Sequence, residues 1–489
     1  MTRTSLIAAI AVLIALPASA SAGVLYVSPT GSTSATSCPS DNRCSIEHAV
    51  EDLAATDDIV EAAPGNYSVA TLTIQDKMTL RGEPGAAQPR IVGTSQPLAV
   101  AFAGDGATIQ DVTVDLVGNG TAVILGGYAT IERSLILVRG PGNAATDGDA
   151  LFSASGGTLR DTTVRVKRSA PATSHPTVTS DSGVLTLRGV SVTRQDAGDE
   201  TAVGVGTSGA IDADGLVIEA RRCLTLSGSG HSVIHNLTAT QPAAGGGITT
   251  PVVAAGTAQI DGAAITSNAS NASVPAALIT GSATLSNATV DAPASEAVRL
   301  DGNARLDRAR IKGLIGIDMF GAARVTNTLV SVTGDFAGRY GGPGPTAQIA
   351  NSTLVGESAS TGFRKDAGGT VELLNTILSA GVDIKVNAGA VAARNSRFAS
   401  VGAGAVTDQG GNVAAGPQFV DPTTGDYRLQ ADSPMVDAGL THDLLGPLDL
   451  GGLPRVSGPL PDIGAFEFQH PAAPESPAVT PEPAPQGAG

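Results

Sequence analysis

Along most of the chain, apolar residues alternate with small or polar ones in runs of only three to five. "ATIQDVTVDL" begins at Ala107, "ATLSNATVDA" at Ala283, "ARVTNTLVSV" at Ala323 and "AQIANSTLVG" at Ala347. Period-two runs of this length predict short strands. Helical spacing is absent from these units, and glycine, at 61 residues, is too frequent for helices. Each unit carries an apolar anchor. Thirteen anchors, from Ile109, Ile131 and Leu159 through Ile349 and Leu373 to Ala393, recur about every 24 residues, a period that signals a solenoid. Leucine-rich repeats share the period, but their LxxLxLxxN spacing is not visible. A coil of about 24 residues holds three short strands and three turns, and coils stacked about 4.8 Å apart pair every strand in parallel with its neighbour. The fold class this predicts is all-β, a single-stranded parallel β-helix.

Two residues after each anchor the chain is selective. The position reads Asp111, Arg133, Asp161, Gly189, Gly215, Asn236, Gly262, Asn287, Arg308, Asn327, Asn351, Asn375 and Asn395. Asn and Gly dominate, and they tolerate the positive φ that a sharp bend between strands demands. The six asparagines are expected to stack as a ladder, their amides bonded from coil to coil. They are a structural device. The N-x-S/T matches at Asn236, Asn287 and Asn351 therefore read as corners before they read as glycosylation acceptors.

These corner repeats resemble the right-handed parallel β-helix, or pectate-lyase-like, superfamily over roughly residues 24–415. That resemblance implies the fold and leaves the activity open, because the fold carries lyases, hydrolases, epimerases and adhesins. The opening "YVSPTGS" with Cys38 and Cys44, followed by "DIVEAAPGNY", is similar to the N-terminal part of exported bacterial β-helix proteins. Between them, Ser45 can cap a helix, and Ile46, Ala49, Val50 and Leu53 follow at helical spacing. A short amphipathic helix covering the first coil is expected there, since an open coil exposes strand edges. Near the other end, "GDYRLQADSP", "VDAG" and "DIGAFEF" resemble the choice-of-anchor Q module of exported bacterial proteins. Gly451 stands in "DLGG" where that module has a second Asp. The segment concentrates the aromatics Phe419, Tyr427, Phe466 and Phe468, and is expected to form a C-terminal cap.

The expected organisation is a signal peptide at 1–22, an N-terminal cap at 23–69, β-helix repeats at 70–415, the anchor-type cap at 416–469 and an extended Pro-rich tail at 470–489. Arg3, the apolar run "LIAAIAVLIAL" and the small residues "ASASA" carry the signal-peptide reading. No second apolar stretch of about 20 residues follows, so no transmembrane segment is expected in the mature chain. Export to the cell surface or medium follows, and Cys38 and Cys44 are then expected to pair. Cys223 lies inside a repeat and reads as a buried apolar residue. The chain's own caps speak for a monomer.

Charge narrows the partners. The chain holds 29 basic and 45 acidic residues, which argues against nucleic acid. Tryptophan is absent and aromatics are 3% of residues, so the core must be thin, built from Val, Ile, Leu and Ala, and sugar-stacking platforms are scarce. Lyases of the resembled superfamily hold Ca²⁺ with clustered carboxylates and abstract a proton with Lys or Arg. The counterpart here is Asp147 and Asp149 in "RGPGNAATDGDA", with Arg165 and Lys167 one coil later. Ca²⁺ is the one cofactor this arrangement would take. A second acidic group comprises Asp196, Asp199, Glu200, Asp212 and Asp214. His231 and His235 stand about 13 Å apart on a strand, without a third ligand in view. No nucleophile elbow, zinc-protease motif or phosphate loop occurs. The leading expectation is an exported β-helix that binds an extracellular polysaccharide or cell-wall component without catalysis. A Ca²⁺-dependent polysaccharide lyase or other glycan-active enzyme is the alternative.

Overall fold

The computed structural model describes residues 22–471, apart from 75–76, 94–97, 103–104, 119, 141–148, 169–175, 197–202, 243–248, 343 and 345. The expected signal peptide up to residue 21, the tail beyond residue 471, and Asp147, Asp199 and Glu200 lie outside the described residues.

Strand follows strand, and the pairings resolve into three columns of parallel strands. The first column runs from Val24–Ser32 through Ile59–Ala62, Thr79–Gly82 and Thr108–Gln110 to Val406–Asp408. The second runs from Asn66–Val69 through Arg90–Gly93, Thr113–Val117, Leu135–Gly140 and Thr163–Arg168 to Ile377–Ser379. The third runs from Leu72–Ile74 through Leu98–Phe102 and Thr121–Leu125 to Val382–Val386. The molecule is a parallel β-solenoid. Its first column starts in the segment expected to be only a cap, because Val24–Ser32 already pairs in parallel with Ile59–Ala62.

The anchors stack in register. Ile109 pairs with Ile131, Ile131 with Leu159 and Leu159 with Leu187, and the sequence continues through Ile349 and Leu373 to Ala393. They are buried in one apolar cluster that runs the length of the solenoid. The corner residues, from Asp111 to Asn395, all have φ between 43° and 72°. Each bends the chain between the first and second columns, a conformation that costs a residue with a Cβ about 1–2 kcal/mol. A second column of left-handed residues, which anchor alignment did not single out, lies between the third and first columns. Gly256, Gly281, Gly302 and Gly321 occupy it, and a Cβ on Gly321 would stand 2.8 Å from the Gly302 carbonyl oxygen.

The asparagine ladder is only partly a ladder of amides. Asn375 Nδ2 donates to Asn351 Oδ1 at 3.0 Å. Asn236, Asn287 and Asn327 instead donate to Asp214, Asp261 and Asp307, the residues before the previous corners. A carboxylate takes the charge-assisted bond in preference to an amide.

At the N-terminus the expected α-helical cap does not form. Its place is held by a six-residue π-helical turn, His48–Leu53. Ala54, already extended, donates its N–H to Ala49 O at 2.9 Å, and this wide turn ends the helix. Ile46, Ala49 and Val50 are buried, and the His48 ring links Ala35 O to Asp52, each at 2.7 Å. Cys38 and Cys44 are disulfide-bonded. Cys223 is buried, which pushes its thiol up to about 12 and leaves it an inert core residue.

The C-terminal segment lies along the side of the last coils. Asn351, Asn375 and Asn395 donate to Leu444 O, Leu440 O and Ala438 O at 2.8–3.0 Å, and Leu440 N donates back to Asn375 Oδ1. Outward-facing Leu329 and Val355 pack with Leu450, Ala465 and Phe466. Ile377 packs with Leu429, Met435 and Ile463. Inside the segment, buried Arg455 sits among Asp449, Asp462 and Glu467, and Arg455 Nη2 donates to the Asp462 and Gly464 carbonyls. Those three carboxylates accept backbone N–H groups, two each, so they shape turns.

Candidate functional site

Strand alternation in the second column sends Val164 and Val166 into the core and leaves Arg165 and Lys167 exposed. Lys167 stands in register with Arg139 on the preceding coil. Arg139 in turn grips Asp115, Nε to Oδ1 at 2.9 Å and Nη2 to Oδ2 at 2.7 Å. From the coil before that, Arg90 donates to the same carboxylate. Asp115 is 0% exposed and holds two guanidinium groups on the face. Arg90, Arg139, Arg165 and Lys167 thus make a cationic stripe around one buried carboxylate, on a chain whose formal charge is −16.

Asp149 is placed elsewhere. It is 7% exposed and lies two residues before Leu151, which pairs with Val123 and Val178 in the third column. The bases are therefore on the outer face of the second column, and Asp149 is buried where the chain turns into the third. Ca²⁺ takes six to eight oxygen ligands. No group of three or more His, Cys, Asp or Glu side chains suited to a metal occurs among the described residues, and Asp147 lies outside them. Other sequence candidates have structural partners. Asp212 accepts from Arg188 at 2.7 Å and Asp214 from Asn236 at 2.8 Å. His231 faces Thr257 and His235 faces Asp261.

A second charged row went unread in the sequence. Arg299, Asp318, Arg339, Arg364 and Lys385 occupy one register position on five successive coils of the third column. Arg299 holds Glu296 through Nε and Nη2 at 3.0 and 2.5 Å. Arg339 holds buried Asp318 through the same two nitrogens. Arg364 bridges Asp335 and Asp366, and the Phe336 ring lies 4.9 and 4.6 Å from the Arg339 and Arg364 guanidinium carbons. Burial pushes the Glu296 carboxyl up to about 7 against the pull of Arg299.

No protein family and no curated protein matches the chain. Among solved structures, it is similar to the pectate lyase Pel9A, at 14% identity over 91% of this chain and 96% of that one, with a TM-score of 0.34. It is also similar to the A-module of the Azotobacter vinelandii mannuronan C-5 epimerase AlgE4, at 13% identity over 74% and 91%, with a TM-score of 0.38. A third similar structure is the catalytic unit of a GH87 α-1,3-glucanase from Streptomyces thermodiastaticus strain HF3-3, at 13% identity over 79% and 70%, with a TM-score of 0.24. The solenoid itself is established by this chain's own strand pairings.

Proposed function

We propose that the chain is an exported, monomeric β-solenoid that binds an acidic polysaccharide along the outer face of its second column, without cleaving it. The observation that carries this is the stripe of Arg90, Arg139, Arg165 and Lys167 on a strongly acidic molecule. Four cations spread over four successive coils of one face suit a polymer with a carboxylate on each sugar. A solenoid supplies the rigid, extended surface such a polymer needs. In this reading the C-terminal segment, similar to anchor-type modules, belongs to retention at the cell surface or wall.

A glycan-active enzyme is the second reading, and Glu296 supports it. Its carboxyl, pushed up to about 7 by burial and held by Arg299, gains and loses a proton near neutral pH, as an acid–base group of a glycan-active enzyme does. One experiment separates the readings. The full chain is incubated with polygalacturonate, alginate and neutral glucans at low and high salt, scoring both retention and product release. Binding to the acidic polymers alone is expected. It should weaken at high salt, and roughly tenfold in Arg165→Ala/Lys167→Ala, the scale of a lost charge-assisted contact. Equal retention of neutral glucans would defeat the stripe reading. New reducing ends or unsaturated product, lost in Glu296→Gln, would establish the second.

A further inference from the structure

We infer that the cleft between the second column and the C-terminal segment is a binding site for the terminal, carboxylated sugar of an acidic glycan. The inference rests on the reading that the second column binds such glycans, and names a distinct site on that face. The cleft has a volume of about 440 Å³, the size of a small-ligand site. Its floor is outward-facing solenoid: Asp291 stands in register with Lys312, and Lys312 with Ser331. Arg310 lies beside them, its guanidinium carbon 5.1 Å from the centre of the Phe466 ring, and is thereby held toward the C-terminal segment. Asp291, Arg310 and Lys312 are all exposed.

The wall is the turn between the antiparallel strands Phe419–Asp421 and Asp426–Leu429. That turn is pinned, because Asp421 Oδ1 accepts both the N–H and the hydroxyl of Thr423, at 3.1 and 2.6 Å. Tyr427 lines the cleft, its ring perpendicular to that of Phe419 at 5.2 Å between centroids and packed against the cluster of Leu329, Val355 and Phe466, so the ring is held in place. Asp426 is bound by Arg428 and also draws on Arg310, and Asp291 lies one coil from Lys312, so the floor is a mixed-charge surface with two exposed cations. Two cations for a carboxylate, a held aromatic ring beside the sugar, and Asp291 and Ser331 for hydroxyls are the groups a uronic acid needs.

Position makes the sugar terminal. The cleft lies on the same outward face as the cationic stripe, six coils after the strand bearing Arg165, about 29 Å at 4.8 Å per coil. Beyond it, Leu329 and Val355 of that face are buried under the C-terminal segment. A polymer running along the second column would end here.

The test is calorimetric titration of the full chain with a galacturonate trisaccharide, too short to reach the stripe, and with a neutral trisaccharide as control. Binding of the acidic trisaccharide alone is expected. Lys312→Ala and Tyr427→Ala should each weaken it roughly tenfold. Tyr427→Phe, which keeps the ring, and Arg165→Ala/Lys167→Ala should bind as the native chain does. Lys312 is exposed on a strand, so its variant reports on the site even where Tyr427→Ala loosens the turn. The inference fails if the acidic trisaccharide does not bind, if the neutral one binds equally, or if Lys312→Ala binds as tightly as the native chain. Loss of long-polymer binding in Arg165→Ala/Lys167→Ala with intact trisaccharide binding would show that cleft and stripe are separate sites.

Discussion

Asn375 does three things from one position. Its φ of 47° turns the coil, its amide donates to Asn351 and to Leu440 O, and its oxygen accepts the Leu440 N–H. It is fully buried. Asn375→Ala keeps a Cβ in the left-handed region and leaves two part-buried backbone groups of Leu440 without partners. The native asparagine carries a Cβ there too, so the loss comes mainly from the orphaned groups, about 2–4 kcal/mol. Asn375→Gly removes the strain but not the orphaned groups, and should cost about 1 kcal/mol less than alanine. Denaturant unfolding of the two variants checks the order, and glycine at or below alanine would refute the account. The corners were legible in the sequence because sterics impose one requirement on every coil. The hydrogen-bond partners were not, because whether a corner amide meets an aspartate, another amide or a distant carbonyl depends on neighbours far along the chain.

At the level of the strand column, the charged row of the third wall shows why part of the candidate chemistry stayed hidden. Arg299 and Asp318 lie seven residues before their anchors, Arg364 nine and Arg339 ten. Alignment on the anchors scatters them, and only the strand pairings bring them to one register position. Within that row Glu296 faces Arg299, Asp318 and Arg339. Its carboxyl sits at about 7 in the folded chain, above its ordinary value of 4.5. The folded state therefore holds a proton that the unfolded state releases, and this contribution to stability is present below about 4.5 and lost as pH rises through about 7. The unfolding temperature should fall between pH 5 and pH 8, and Glu296→Gln should make that fall shallower. Glu467, also raised to about 7 by burial beside Asp462 and Arg455, supplies a further share. An unchanged pH slope in Glu296→Gln would mean that the Arg299 pair keeps Glu296 ionised throughout.

For the molecule as a whole, the decisive contact is the one between the solenoid and the segment laid along it. Aromatic content and the resemblance to an anchor-type module marked residues 416–469 as a C-terminal cap, but the place where the segment packs was written in the other partner. Leu329 stands in register with Arg310, and Val355 with Ser331. The two coils before each present polar residues there, Arg310 and Thr289, and Ser331 and Lys312, and the chain turns apolar where a neighbour covers it. Phe466 is central to that contact, packing on Leu329 and Val355 and under the Arg310 guanidinium. Phe466→Ala should cost about 3–5 kcal/mol, the range for a buried phenylalanine. The cost should fall on docking more than on the coils, because stacked repeats draw most of their stability from nearest neighbours. Limited proteolysis should then cut the 416–471 region in the variant while residues 24–415 stay protected, and a galacturonate trisaccharide should lose its cleft while long acidic polymers keep the stripe. Cleavage spread evenly through both regions would show instead that segment and solenoid unfold as one cooperative unit.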